Sequence, residues 1–252
     1  MAAVVGDSTG ITFEAAAGGG VGSFSLGVGA TSQKGVSRAI LVFAFMRSNT
    51  SSPSVSSLTC DGAAMTKLAA ASLVNQYTSG QWINVETWYA LTEPPNKDSG
   101  QTWSLEGTFN MTLPLASVVM AKCVLNVNPR GWQGLAATNS GNSTNPNVTL
   151  TGKTAGSFVV FAAAQRRDTG GAYDSSAAFL DEYYDGETGS GTSGDMTYYL
   201  GGEGPVGAGN ATYGPTRSSS AQWTAVAVEL LKSEESIPLI VPRRRQMALV
   251  RL

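Results

Sequence analysis

No histidine occurs among the 252 residues. That removes a Ser-His-Asp triad, His-ligated zinc and an imidazole base from the chemistry open to the chain. Cysteine is almost as scarce, with only Cys60 and Cys123, too far apart in sequence to build a metal site by themselves. Each sits in an apolar, strand-like context, LTCDG and MAKCVL. Both are read as reduced, buried thiols used as small hydrophobes, with a disulfide between them as the alternative. Charge is thin as well: Asp, Glu, Lys and Arg make up 13% and the net charge is -2. That balance argues against a general nucleic-acid binder. The longest apolar run, Ala39 to Met46, is far short of the roughly 20 residues a membrane helix needs. No basic stretch followed by an apolar run opens the sequence, so synthesis and folding in a cytoplasm are expected, with no membrane association.

What is present is apolar and small-polar. Hydrophobic residues make up 42% and include five Trp, enough to bury a core. Ser (28), Thr (24) and Gly (30) supply the surface and the turns. The hydrophobic period is two. Strands are expected at Val21–Val28, Arg38–Arg47, Val55–Cys60, Met65–Ala69, Gln81–Leu91, Thr102–Phe109 and Ala116–Leu125. Further strands are expected at Asn147–Thr151, Gly156–Gln165, Ala177–Glu182, Met196–Gly201 and Gln222–Leu231. In Gln81–Leu91, Trp82, Asn84, Glu86 and Trp88 share one face, and Ile83, Val85, Thr87 and Tyr89 the other. Arg38–Arg47 and Gly156–Gln165 are more continuously apolar, which marks central strands covered on both faces. Asp61-Gly62 suits a type I′ hairpin, since both residues tolerate positive φ. No long amphipathic helix and no fixed-period repeat is visible, so solenoids and propellers are not expected. The fold class is all-β, an antiparallel β-sandwich of jelly-roll or Ig-like type, as one domain over residues 1–235. Thr138–Asn147 reads as a polar loop between two halves of that sandwich. Asp185–Ser220 reads as a long Gly/Ser-rich excursion.

The chemical motifs are weak. Gly189–Gly194 matches G-x-G-x-x-G, but no buried strand precedes it and acidic residues flank it, so it reads as a loop. Gly152-Lys153-Thr154 lacks the first glycine of a P-loop and reads as a turn. Asp181, Glu182, Asp185 and Glu187 are the densest acidic group, without EF-hand spacing. With Asp168 or Asp174 they would be the carboxylates of a glycosidase, but no spacing selects a pair. No catalytic residue, cofactor or metal is therefore expected. The tryptophans and tyrosines read mainly as core, with Trp132, Tyr183-Tyr184 and Tyr198-Tyr199 as loop candidates for a contact surface.

Residues 236–252 differ from the rest. Pro238 and Pro242 keep the segment extended, and Arg243, Arg244, Arg245 and Arg251 face no acid within it. The rest of the chain carries the entire acidic complement, so a basic, apolar arm follows an acidic body. Ile237, Leu239, Ile240, Val241, Met247 and Leu249 are too apolar for a solvated tail. With Arg243, Arg244, Arg245 and Arg251 they are the expected partner-binding residues of an extended C-terminal arm, one that adds as a strand to a neighbouring chain or lies on a partner's acidic surface.

Three stretches carry a family likeness: Leu58-Thr-Cys-Asp-Gly-Ala-Ala-Met-Thr-Lys-Leu68, Val85-Glu-Thr-Trp-Tyr-Ala-Leu91 with Pro94-Pro95, and Ala221-Gln-Trp-Thr-Ala-Val-Ala-Val-Glu-Leu230. Together they resemble a group of β-sandwich domains found in tailed-bacteriophage virion proteins and in some bacterial surface proteins. The likeness runs over about residues 20 to 231 and its motifs are structural. It implies a non-enzymatic structural virion protein, a capsid decoration (cement) protein foremost, made in the host cytoplasm and carried on the virion. Its implied partners are the major capsid protein or other virion proteins and further copies of itself in a homo-oligomer such as a trimer. A phage tail or head-fibre module, or a surface adhesin binding host glycans, is the alternative.

Overall fold

The structure, a computed structural model, describes residues 4–5, 13–15, 22–29, 38–92, 102–110, 116–125, 127–128, 134–166, 182–187, 196–216 and 219–233. It is all-β. The first part of the chain supplies β1 (Val4–Val5), β2 (Phe13–Ala15), β3 (Ser23–Gly29), β4 (Arg38–Ser48), β5 (Val55–Cys60), β6 (Ala63–Ala64) and β7 (Thr66–Lys67). A 3-10 turn at Ala69–Ala71 leads to β8 (Leu73–Thr78), β9 (Gln81–Thr92), β10 (Thr102–Phe109) and β11 (Ala116–Leu125). The second part supplies β12 (Ala136–Ser143), β13 (Val148–Lys153), β14 (Phe158–Arg166), β15 (Glu182–Glu187), β16 (Met196–Glu203), β17 (Gly209–Tyr213) and β18 (Ala221–Leu230).

The strands form four antiparallel sheets among the described residues. Sheet I has the order β3-β10-β5-β6. Sheet II runs β1-β11-β4-β9-β7, with β2 also on β11 and β8 also on β9. Sheet III runs β12-β18-β14-β16-β15, and sheet IV is β13-β17. Side-chain alternation sets how they stack. Every residue of β4 is buried. Its Ala39, Leu41, Phe43 and Phe45 pack into one apolar cluster with Phe158, Val160 and Ala162 of β14 and Val226 and Val228 of β18. Its Ile40, Val42, Ala44 and Met46 pack into a second cluster with residues of sheet I, including Leu26, Leu58 and Trp103. The opposite face of β14, Val159, Phe161 and Ala163, meets Val148, Leu150 and Tyr213 of sheet IV in a third cluster. The layers therefore run I, II, III, IV with a core in each gap. At about 10 Å per gap, the outer sheets stand roughly 30 Å apart.

The two inner sheets repeat one plan. Sheet II contains β2-β11-β4-β9-β8 and sheet III contains β12-β18-β14-β16-β15, in the same chain order. The outer pairs β3-β10 and β13-β17 also correspond. In sheet I, β10 pairs with β5 on its other side, whereas β17 pairs with β13 alone among the described residues. The repeat lies within the 1–235 stretch read as one domain, and the II–III core joins its two parts. Asn75 Nδ2 also donates to the Trp223 carbonyl (3.3 Å) across that gap.

The alternation read in Gln81–Leu91 holds: Ile83 and Val85 face sheet III, and Trp88 faces sheet I. The two segments expected to be covered on both faces are β4 and β14. The Asp61-Gly62 turn joins β5 to β6 with φ of 50° and 79°, as a type I′ hairpin requires. Two loop readings are corrected. Most of Thr138–Asn147 lies in β12, an edge strand whose side chains are exposed or half-buried and whose backbone pairs with β18 at eight positions. Polar residues suffice there because backbone hydrogen bonds hold the strand. Gly141 is needed where the Trp223 ring crosses, since a Cβ would sit 2.8 Å from the ring. The Asp185–Ser220 excursion contains the second half of β15 and all of β16 and β17. Tyr198 and Tyr199, read as loop aromatics, are buried on β16 and pack into separate clusters.

The II–III core predicts a shared fate for the two parts. Phe45→Ala should lower stability by about 3–5 kcal/mol in urea unfolding. Amide exchange should rise together in β4 and β14. A rise confined to β4 would mean that the two parts are held independently.

Candidate functional site

The ten residues expected to bind a partner, Ile237, Leu239, Ile240, Val241, Arg243, Arg244, Arg245, Met247, Leu249 and Arg251, lie outside the described residues. So do Trp132, Asp168, Asp174, Asp181 and Gly189–Gly194. Glu182, Asp185 and Glu187 fall on β15. Among the described residues no group of three or more Cys, Asp or Glu is placed to hold a metal ion.

What is described is the root of the 236–252 segment, the end of β18 and the residues up to Ser233. β18 lies between β12 and β14 and pairs with both along its length. Beyond it, Lys232 bridges Val127, and Asn128 N donates to the Leu231 carbonyl (3.0 Å). The root is pinned by Glu229, which is buried. Its Oε1 accepts from Thr154 N (2.6 Å) and Ser157 Oγ (2.7 Å), and its Oε2 accepts from Leu135 N (3.2 Å). Its own N–H donates to the Leu135 carbonyl (2.7 Å). One carboxylate thus ties the β13–β14 turn and the start of β12 to the end of β18. Gly134 allows this approach, since a Cβ there would fall 1.8 Å from the Glu229 carbonyl oxygen. The Lys232 side chain lies beside Gly156, whose N–H donates to the Val206 carbonyl (2.8 Å). Val206 stands three residues before β17, so Lys232 lies near the Gly209 end of that strand.

A second buried carboxylate plays the same part between sheets I and II. Glu86 accepts from Lys67 Nζ (2.6 Å), Ser54 Oγ (2.7 Å), Val55 N (3.1 Å), Asn84 Nδ2 (3.3 Å) and Trp88 Nε1 (3.3 Å). Neither role was read from the sequence. The available signal is a lone carboxylate at an inward position of a strand, VETW in one case and AVEL in the other. Both groups are saturated with donors, and that suits holding turns better than reacting.

The outward faces are lined by hydroxyls. On sheet I, Ser23, Thr108 and Ser57 form one row across the strands, and Ser25, Glu106 and Thr59 the next. A bulge in β5 adds Ser56, so Ser56 Oγ and Ser57 Oγ both reach Thr108 Oγ1 (2.8 and 2.7 Å). These rows line an open depression of about 640 Å³. On sheet IV, Thr149 Oγ1 and Thr212 Oγ1 pair at 2.8 Å. Beneath sheet IV, burial pushes the Tyr213 hydroxyl far above its ordinary pKa, and the Glu203 and Glu229 carboxylates add to the effect. The Gly152-Lys153-Thr154 stretch serves packing. Lys153 Nζ donates to the Gly207 carbonyl (3.2 Å) and lies 5.7 Å from the Tyr213 ring centroid. Trp88, Trp103 and Trp223 are core, as read. Cys60 and Cys123 are both buried and not joined in a disulfide. No family model, curated protein or solved structure matches the chain.

Two outcomes follow for this region. Glu229→Gln replaces an acceptor of three hydrogen bonds with an amide that opposes some of the donors. It should cost about 2–4 kcal/mol in urea unfolding, with faster exchange at Leu135 and Thr154. Glu106→Gln, on the exposed face, should stay within about 0.5 kcal/mol. The raised Tyr213 pKa means that above about pH 10 the unfolded chain releases a proton which the folded chain keeps. Stability is therefore retained below that pH and declines above it. Tyr213→Phe should make the decline shallower, as urea midpoints measured on either side of that pH would show.

Proposed function

We propose that the chain is a non-enzymatic structural protein of a tailed-phage virion, a capsid decoration protein. Its body is two jelly-roll sandwiches packed back to back, and its 236–252 arm joins it to other subunits. The observation that carries this reading is the doubled strand order. Sheets II and III repeat one order, β2-β11-β4-β9 and β12-β18-β14-β16, and that order supports reading each as the inner layer of a jelly roll. The result is a stiff block with three cores. Its buried carboxylates are spent on fixing turns, and its hydroxyl-lined outer faces carry little charge. Such a block suits a load-bearing surface subunit. The arm would bring Ile237, Leu239, Ile240 and Val241 to apolar contact and its four arginines to carboxylates of a neighbour. A few hundred Å² of apolar burial at about 25 cal/mol per Å² supplies several kcal/mol per arm. Ordering the arm offsets much of that, and repetition over a symmetric shell restores it as avidity. The expected partners are the major capsid protein and other copies of the chain.

A second reading, a tail, head-fibre or adhesin module that binds host glycans, is favoured by the sheet I depression. There Ser23, Ser25, Ser57, Thr59 and Thr108 surround Glu106, a set able to exchange hydrogen bonds with sugar hydroxyls.

The test is co-sedimentation of the full chain, and of a chain ended at Ser233, with empty heads of the phage that carries the gene. Saturable binding by the full chain and at least a tenfold loss on truncation are expected. No head binding by the full chain, together with glycan-array binding that Glu106→Ala abolishes, would replace the decoration reading with the second.

A further inference from the structure

We infer that the sheet I depression selects amine-bearing sugars, with the ammonium group of an amino sugar on Glu106 and the ring hydroxyls on the Ser and Thr rows beside it. This rests on the second reading of the proposed function. It adds the ligand class and the residue that discriminates it.

The depression of about 640 Å³ is lined wholly by β3, β5 and β10. That volume lies within the range of about 300–1,000 Å³ in which small ligands are held. Glu106 stands on the middle strand, between Ser25 of β3 and Thr59 of β5, and is the one charged residue of the lining. It is exposed, and its neighbours leave its carboxylate alone. The Thr59 hydroxyl donates to the Glu106 backbone carbonyl (3.4 Å), and the Thr108 hydroxyl is tied to Ser56 and Ser57. Among the described residues nothing bonds to the Glu106 carboxylate. Glu86 and Glu229, by contrast, spend theirs on buried donors. The fold therefore makes no use of the Glu106 charge, and a ligand finds both of its oxygens free.

The surroundings choose the ligand. A peptide added to a sheet binds through free backbone groups at an edge. Here the backbone of β10 is spent on ladders to β3 and β5, and the depression lies on the sheet's face. Its outward side chains are hydroxyls, which offer a peptide no apolar pocket. Each hydroxyl has one donor and two acceptor positions, so one bond to a neighbouring hydroxyl leaves capacity for a sugar hydroxyl. A polyol suits such a surface. The sign of the charge then sorts the polyols. A uronic or sialic acid would meet a carboxylate with no cation in the lining to offset it. A protonated amine gains a charge-assisted hydrogen bond. Sheet IV supplies an internal contrast. It is the outer sheet of the repeated plan, and its exposed positions Thr149, Thr151, Asn210 and Thr212 carry no charge.

The test compares two oligosaccharides of equal length and linkage, a glucosamine oligomer with protonated amines and its fully N-acetylated form. Each is titrated into the full chain, with calorimetry for affinity and backbone amide shifts for location. The amine form is expected to bind more tightly by about fivefold, the upper end for one exposed ion pair. Shifts should centre on Ser25, Thr59, Glu106 and Thr108. Added salt should remove the preference. Glu106→Gln should bring the amine form down to the acetylated one, whereas Thr212→Ala on sheet IV should change nothing. Equal binding of the two forms, or a preference that survives Glu106→Gln, would overturn the inference. A lysine tripeptide that binds as tightly as the amine oligomer would also overturn it, because charge alone would then suffice. Neutral glycans bound at the same amides without an amine preference remove this inference and leave the second reading standing. No binding by any glycan removes both.

Discussion

The fold hangs on two strands that are buried on both faces. β4 and β14 each carry apolar side chains at successive positions, so each presents one row to the II–III core and another to an outer core. A strand of that kind has no water-facing side and is stable only between two other layers. Two such strands, each with its own outer sheet and each turned toward the other, leave a four-layer stack as the arrangement that covers all their faces. The outer sheets follow from this: their inward rows are apolar and their outward rows are free to be Ser and Thr.

Burial on that scale leaves little room for ionised groups, and the two buried glutamates carry dense hydrogen bonding. Glu86 and Glu229 sit in separate outer cores. Each receives at least one backbone N–H and a serine hydroxyl from segments that would otherwise bury unpaired donors. Lys67 beside Glu86 is the ion pair described, and its own side chain remains partly exposed. The buried acids therefore work as acceptors for loops, and that explains why they occur at inward positions of strands whose neighbours are Val, Ala and Trp. The hydroxyl rows on sheets I and IV do the complementary work outside, linking adjacent strands by side-chain bonds such as Thr149–Thr212.

The strands with the strongest pattern were legible in the sequence. Val55–Cys60, Thr102–Phe109 and Ala116–Leu125 fall where their alternation or apolar density places them. Strands held mainly by backbone pairing were not. Nothing in AATNSGNS distinguishes an edge strand from a loop, because its side chains face water and carry no period. β17, GNATY, is short and sits among glycines. The repeat escaped for a related reason. RAILVFAFMRS and FVVFAAAQR meet the same demand, apolar on both faces, with different residues, so the likeness lies in pairing order and not in letters. The arm was legible only as a contrast of composition. The place of Lys232 beside Gly156, near the start of β17, depends on contacts that no local pattern encodes.

The place of β18 has a mechanical consequence. It is the last strand before residues 236–252 among the described residues, and it is gripped on one side by β12 and on the other by β14, eight residue pairs on each. A pull on the end of β18 in line with the strand loads both ladders in shear, so that many hydrogen bonds must give way together. An edge strand pulled the same way would load one ladder only. Glu229, one residue before the end of β18, adds a cross-tie to the β13–β14 turn at the point where tension enters. Tension at the end of β18 is thus spread over both neighbouring strands and the β13–β14 turn.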